Sequence, residues 1–207
     1  MVGFLPRWIS PVVWALIGAT LAISLAAVIA VRAGFDAYAS LALVPGDVWA
    51  GEVWRLVTWP LVEASPWGLV SSCVALYFFG GQLAGAWGAR RFAAYLGGVA
   101  LFAGVGTVVL GRVVPGAWTM GHLGGFAVGH ALVVAWALQF PDREIPVHVL
   151  LRLGGPVLAY GTMGLIVLFA VFVGVAPVLP ALLAGLAALA YMNDGVSGLK
   201  RRVRSAI

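Results

Sequence analysis

Residues 11–32 read PVVWALIGATLAISLAAVIAVR, and the last of them, Arg32, is the only charged residue in the stretch. A helix of this length rises about 33 Å at 1.5 Å per residue, which is enough to cross a hydrocarbon core about 30 Å thick. The stretch therefore predicts a membrane-spanning helix. Because no small-residue cleavage site follows it, we expect a retained first helix and not a signal peptide.

The same apolar pattern recurs along the rest of the chain. Of 207 residues, 63% are hydrophobic and 9% are charged, whereas soluble domains carry about 25% charged residues. We therefore expect an all-α membrane protein with one domain, residues 1–207, in which six helices form one bundle. The predicted spans are approximately residues 11–32, 66–87, 92–111, 120–140, 154–174 and 176–193.

Segment 33–65 differs from these spans in composition. It carries four acidic residues, one arginine and three tryptophans, so it is too polar to span and too aromatic for a solvated loop. Tryptophan favours the headgroup level of a bilayer, and the segment is therefore predicted to be an interfacial loop. We expect Trp54 and Arg55 to anchor it, with Arg55 paired to Glu52 or Glu63.

The basic residues predict an orientation. With the N-terminus inside the cell, nine of the 12 Lys and Arg residues fall on the cytoplasmic side and three fall outside, so both termini are predicted to be cytoplasmic. The net charge of +5 then reflects topology, and we expect no nucleic-acid partner. Abundant Arg, Ala, Gly and Val are typical of a GC-rich bacterial gene, which favours a bacterial inner membrane.

Four strings resemble segments of the rhomboid intramembrane proteases. The first of them looks like the first loop and second helix of that family, and the others resemble the turn into the third helix and the ends of the fourth and sixth. They read GEVWRLVTWPLVEASPWGLVSSCVALYFFGGQL (51–83), WGARRFAAYLGG (87–98), ALQFPDREI (137–145) and LAGLAALAYMND (183–194). The resemblance covers about residues 45–195 and implies a rhomboid-like bundle of six helices.

Active rhomboids use a serine–histidine dyad, and the resemblance places both dyad positions on apolar residues. The serine position falls on Leu123, and the histidine position falls on Val178, or on Leu179 or Pro180 in a shifted register. A serine nucleophile needs an adjacent base, and the chain has no histidine beyond His148. The resemblance therefore implies that the dyad is absent.

The oxyanion-site positions of the family are also changed. They fall on Gly68 and Ser72, and an upstream histidine of the second helix maps to Glu63. The resemblance thus implies a catalytically inactive protein, a pseudoprotease similar to the rhomboid-like proteins that bind other membrane proteins. We expect its partners to be the lipid bilayer and other transmembrane proteins, in a hetero-oligomeric complex or as transient clients.

Two further functional hypotheses remain open at this stage. Ser71, Ser72 and Cys73 could supply a displaced nucleophile with a histidine of the fourth span as its base. Alternatively, His122 or His130 could hold a cofactor with a ligand from another helix, since an ionisable residue in a membrane span is a candidate functional residue.

Glycines and histidines of the fourth span also have a structural interpretation. Gly121, Gly125 and Gly129 recur every four residues and predict one flat stripe for close helix packing, as does Gly185 in the sixth span. His122 and His130 are eight residues apart, about 12 Å along a helix, so they cannot bind the same metal ion. We expect both histidines to be hydrogen-bonded structural residues, with no metal and no cofactor.

Overall fold

The computed structural model describes residues 9–148 and 151–204. This part of the chain folds into helices joined by short connections, with two short strands between α8 and α9. The helices are α1 (Pro11–Arg32), α2 (Ala37–Leu41), α3 (Pro45–Trp49), α4 (Arg55–Thr58), α5 (Pro66–Ala75), α6 (Gly81–Trp87), α7 (Ala89–Leu110), α8 (Phe126–Gln139), α9 (Gly155–Val173) and α10 (Val175–Arg204). The strands are β1 (Glu144–His148) and β2 (Leu151–Gly154), which pair antiparallel. A 3-10 turn, Trp59–Leu61, follows α4, and a π-helical turn, Leu76–Gly80, joins α5 to α6.

Five helical segments of the described chain are long and apolar enough to cross a bilayer. They are Pro11–Arg32, Pro66–Trp87 (α5 and α6 together), Ala89–Leu110, Gly155–Val173 and Val175–Asn193 of α10. The prediction of an all-α membrane protein is confirmed, and these segments agree with five of the six predicted spans. The predicted boundary between the last two spans lies at Gly174, whose φ of +92° turns the chain sharply from α9 into α10.

The fourth predicted span differs from the structure. Helix α8 has 14 residues and rises about 21 Å, because it begins at Phe126 and not near residue 120. The residues just before it are not helical, and His122 among them forms an antiparallel bridge with Leu43 of the interfacial loop. The predicted stripe of Gly121, Gly125 and Gly129 on one helix is therefore wrong, since only Gly129 lies within α8.

The interfacial loop folds around the buried Arg55 side chain, which is 5% exposed. Its guanidinium lies 2.6 Å from a carboxyl oxygen of Glu52 and 3.0 Å from one of Asp47. It also donates to the backbone carbonyls of Ala39 and Ala42. Because Arg presents five N–H donors in a fixed fork, one side chain closes α2, α3 and α4 into a single unit.

Trp54 completes this anchor at the surface of the loop. Its indole Nε1 donates to the carbonyl of Ser40 at 3.2 Å, while half of the residue remains exposed. Of the two carboxyl groups predicted to pair with Arg55, Glu52 is the partner, and the Glu63 carboxyl contacts other groups. Tryptophan with one polar end and one apolar face suits a membrane interface.

The centre of the bundle is the packing of α8 against α10. Buried alanines recur along both helices, at Ala127, Ala131 and Ala135 on α8 and at Ala181, Ala184 and Ala188 on α10. Small side chains let helix backbones approach closely, which is a main source of helix association in a bilayer. Helix α10 also packs on α7 and α9, so it joins both sides of the bundle.

Helix α9 lies at the edge of the bundle. Its buried residues are Gly155, Ala159 and Ile166, whereas Val171 and Phe172 near its end are 78% and 79% exposed. Helix α9 is thus held tightly at its start, against the end of α8, and loosely at its end.

The close packing at the start of α9 gives a test with an internal control. A Cβ on Gly155 would lie 2.8 Å from Pro141 Cα and closer still to the Ala137 carbonyl oxygen, whereas a Cβ on Gly161 would meet nothing within 4 Å. We expect Gly155→Ala to destabilise the protein by about 1–3 kcal/mol, the usual cost of overpacking. Gly161→Ala should leave stability unchanged or slightly raised.

Thermal unfolding of both variants in the same detergent, followed by tryptophan fluorescence, measures the difference. Equal melting temperatures for the two variants would show that the start of α9 does not pack on α8 in this way.

Candidate functional site

The candidate site is built where the interfacial loop meets the segment that precedes α8. Leu43 and His122 exchange two backbone hydrogen bonds of 2.9 and 3.0 Å, and the Gly124 N–H donates to the Trp59 carbonyl at 2.9 Å. These bonds hold the segment in a non-helical conformation, so the chain reaches α8 from within the bundle and not from its surface. The residues beside this junction include Leu123, Gly68, Ser72 and Glu63, which correspond to the serine, oxyanion and second-helix histidine positions of the rhomboid proteases.

The Glu63 carboxyl group lies at the centre of this junction and is 8% exposed. Its Oε1 accepts a hydrogen bond from Ser72 Oγ on α5 at 2.5 Å and another from the backbone N–H of Gly125 at 2.7 Å. The Glu63 N–H donates to Ser24 Oγ on α1 at 3.0 Å. One residue therefore contacts three membrane-spanning or apolar helices through three hydrogen bonds.

The position of Gly125 explains why a carboxyl group is favoured there. Gly125 is the N-cap residue of α8, and the first N–H groups of a helix lack partners within the helix. An acidic side chain satisfies them and interacts favourably with the positive end of the helix dipole. Burial of this polar group is thus offset by hydrogen bonds that the helix needs in any case.

Two glycines make room for the Glu63 side chain. A Cβ on Gly68 would lie 2.5 Å from Glu63 Oε2, and a Cβ on Gly124 would lie 2.6 Å from the same atom. Gly124 also has a φ of +99°, a conformation that other residues rarely adopt. Both oxyanion positions therefore lie beside the Glu63 carboxyl group. Gly68 leaves space for it because it has no side chain, and Ser72 donates a hydrogen bond to it.

This role of Glu63 was not predicted from the sequence. The available signal is the position of this acidic residue two places before Ser65. Ser65 caps α5, because its Oγ accepts a hydrogen bond from the Gly68 N–H. A carboxyl group so close to a helix start, in an apolar context, needs hydrogen-bond donors when buried.

Leu123, at the serine position, lies beside a cavity of about 190 Å³ between the pre-α8 segment and α10. The residues of α10 that line it are Pro177, Pro180 and Ala181. Val178 is buried in the main hydrophobic core and does not line this cavity. Of the three residues considered for the histidine position, only Pro180 therefore shares the cavity with Leu123, and all three are apolar.

His122 lines the same cavity and is 7% exposed. It lies outside the helices, and burial lowers the pKa of its side chain to about 4, so the ring is neutral at physiological pH. Its Nε2 atom is buried without a hydrogen-bond partner among the described residues. The backbone of His122 forms the bridge to Leu43, whereas its ring lies beside a cavity whose other lining side chains are mostly apolar.

His130 lies one turn into α8 on a different face. Its Nδ1 is 2.7 Å from the Phe126 carbonyl oxygen, and its ring contacts the Phe126 ring edge to face at 4.1 Å. Because a carbonyl can only accept, Nδ1 carries the proton and Nε2 is the acceptor of the neutral ring. His130 is thus hydrogen-bonded to a backbone carbonyl.

The polar trio on α5 is divided among different surroundings. Ser71 is exposed and donates to the Gly68 carbonyl at 2.9 Å, Ser72 is bonded to Glu63, and Cys73 is a half-buried free thiol. The hydrogen-bond partner of the Ser72 hydroxyl is thus a carboxyl group and not a histidine. Among the residues that the structure describes, no three His, Cys, Asp or Glu side chains cluster as metal ligands.

The predicted packing glycines occupy four different environments. A Cβ on Gly125 would lie 2.9 Å from Ser72 Oγ, and a Cβ on Gly185 would lie 3.1 Å from Met163 Cε of α9. At Gly121 and Gly129 the nearest atoms would be at 3.4 and 3.9 Å, ordinary contact distances. A Cβ would therefore be crowded at Gly125 and Gly185, on two different helix interfaces, and at Gly185 the crowding atoms belong to the end of the flexible Met163 side chain.

The Glu63 hydrogen bonds give a direct stability test. Glu63→Ala leaves the Gly125 N–H and the Ser72 hydroxyl without their acceptor, so we expect a loss of about 1–3 kcal/mol, the cost of a buried unsatisfied polar group. Glu63→Gln retains an acceptor oxygen of the same reach and should be destabilised less. Melting temperatures of the two variants in one detergent test this order, and a Glu63→Ala protein as stable as the wild type would contradict it.

Comparison with known proteins agrees with the membrane class. The model of the family described as eukaryotic integral membrane protein (DUF1751) matches residues 13–193, and no curated protein is significantly similar to the chain. Because the description names eukaryotic proteins, it gives no support to the expected bacterial inner membrane. The match extends from α1 to the end of the sixth predicted span, and the chain therefore belongs to this family of multi-pass integral membrane proteins.

Proposed function

We propose that this protein is a catalytically inactive, rhomboid-like membrane protein that holds a transmembrane helix of another protein. The binding place is the opening between the first turn of α8 and the last turns of α9, which we call the α8–α9 opening. The observation that carries the proposal is the contrast in packing along α9. Its start is pressed against α8 at Gly155, whereas Phe172 at its other end is 79% exposed.

The exposure of α8 supports the same place. Phe126, the first residue of α8, is 59% exposed although the rest of that helix is the most buried part of the bundle. Because α8 and α9 run in opposite directions, the start of α8 lies at the level of the end of α9. Exposed aromatic side chains lie on both helices at this level, and we infer that the two helices leave an opening between them there.

The chemistry of the opening suits a helix more than a soluble ligand. Its surface is apolar, with the His130 ring as the polar group beside Phe126. The acceptor Nε2 of His130 matches a hydroxyl or amide donor on a neighbouring helix, and such bonds between membrane helices are worth about 0.6 kcal/mol on average. The occupant would thus be bound mainly by packing, with one polar contact that fixes its position.

The absence of catalysis in this proposal rests on the residues at the family's chemical positions. Leu123 offers no nucleophile and lines the 190 Å³ cavity together with Pro180. The Gly125 N–H and the Ser72 hydroxyl, donors that an oxyanion would need, are already bonded to Glu63. The carbonyl groups of a bound helix would thus find these two donors already bonded to Glu63.

The α8–α9 opening predicts where a partner crosslinks. Phe126 and Phe102 of α7 are both phenylalanines and are 59% and 54% exposed, but only Phe126 lies at the opening. A photo-crosslinking amino acid at position 126 should capture a transmembrane segment in native membranes, and the same group at position 102 should not. Peptide mapping identifies the captured segment, and equal crosslinking at both positions, or capture of lipid alone, would overturn the proposal.

The alternative of a hydrolase with displaced residues has its own observation, the Ser72 hydroxyl bonded to a buried carboxyl group. We expect a fluorophosphonate probe to leave the purified protein unlabelled. The Glu63 carboxylate already accepts the hydrogen bonds of the Ser72 hydroxyl and the Gly125 N–H, so these donors are not free to stabilise an oxyanion. An active rhomboid protease in the same detergent serves as the positive control. Labelling that disappears in Ser72→Ala and persists in Cys73→Ala would establish the hydrolase instead.

A further inference from the structure

A separate cavity of about 270 Å³ lies beneath the interfacial loop, among α1, α5, α7 and α8. Thr20 and Ser72 are the polar side chains of its lining, and the rest is apolar or glycine. We call it the α1–α7 cavity. It is distinct from the α8–α9 opening, because Val128 lines the cavity and His130, two residues on, is turned about 200° around α8.

The α1–α7 cavity is elongated along the helix axes. Its lining on α7 extends from Ala93 to Leu101, and on α8 it extends from Gly125 to Leu132. Eight and seven residues of helix rise about 12 and 10 Å. The space is therefore a slot about two helical turns long, which is longer than a single leucine or phenylalanine side chain of a partner could fill.

The mouth of the slot faces the bilayer. The lining residues that remain exposed are on α7 and on the loop, among them Gly97, Leu101 at 47% and Val57 at 61%. Since α7 is a spanning helix, the exposed Gly97 contacts the hydrocarbon chains of lipids in a membrane. Water does not compete for such a space, because even an apolar cavity of about 150 Å³ stays dry and takes up apolar ligands.

The backbone of α7 leaves the slot open. A Cβ on Gly97 would meet nothing within 4 Å, so the glycine is not required by packing against a neighbouring helix. Side chains that line an unfilled space lose the dispersion contacts that they would make with an occupant. We propose that one acyl chain of a membrane lipid occupies the α1–α7 cavity and packs against α7 at Gly97.

The test uses two adjacent glycines of α7. A Cβ on Gly98, like one on Gly97, would meet nothing within 4 Å, but Gly98 is turned away from the slot and does not line it. Gly97→Leu should fill the cavity, whereas Gly98→Leu adds the same side chain on the lipid-facing side. Wild type and Gly98→Leu should retain one phospholipid per protein in native mass spectra after detergent exchange. In Gly97→Leu the fraction of protein that carries a phospholipid should be at least tenfold lower.

Equal lipid retention by Gly97→Leu and Gly98→Leu, or no bound lipid in the wild type, would overturn the proposal. A second measurement needs no variant. The wild type in detergent is mixed with one equivalent of a phospholipid that carries a diazirine near the end of one acyl chain, and is then irradiated. Crosslinks should map to residues 93–101 and 128–132, and labelling spread equally over the exposed face of α9 would contradict a defined site.

Discussion

The hydrogen bonds of Glu63 are the constraint on which the architecture of the site depends. Its backbone N–H is bound by Ser24 of α1, and its carboxyl oxygen is bound by Ser72 of α5 and by the Gly125 N–H at the start of α8. Inside a membrane protein, backbone groups must find partners within the protein. By capping α8 from the loop, Glu63 allows that helix to begin within the bundle, and α8 is consequently short.

The late start of α8 determines the surroundings of residues 122–126. Because the residues before Phe126 are not helical and are bridged to the loop through Leu43, Leu123 and His122 line a small cavity against α10 and do not form part of a helix face. Phe126 is 59% exposed at the start of this helix, where we place the α8–α9 opening. The α1–α7 cavity lies on another side of the same helix. Both proposed binding places thus result from how α8 begins.

The spanning helices could be predicted from the sequence because each depends on a local property, namely about 20 apolar residues in succession. The anchoring role of Arg55 was also accessible, since a basic residue among acidic ones in an aromatic loop seeks carboxyl partners. The start of α8 was not accessible, because residues 120–125 are as apolar and glycine-rich as a helix in a membrane. Their non-helical conformation depends on Leu43 and Glu63, which lie far away in the sequence, in the interfacial loop.

The glycines show the same limit in more detail. Sequence spacing assigned Gly121, Gly125 and Gly129 to one packing stripe, yet a Cβ would be crowded at Gly125 alone of these three, and it would be unopposed at Gly97, Gly98 and Gly161. Gly125 is required because Ser72 and Glu63 occupy the space beside it, so it belongs to the polar junction. At Gly97 the absent side chain instead creates volume within a lined cavity, whereas at Gly98 and Gly161 it faces the bilayer. A glycine in a membrane helix therefore indicates function only when its neighbours show which of these roles it has.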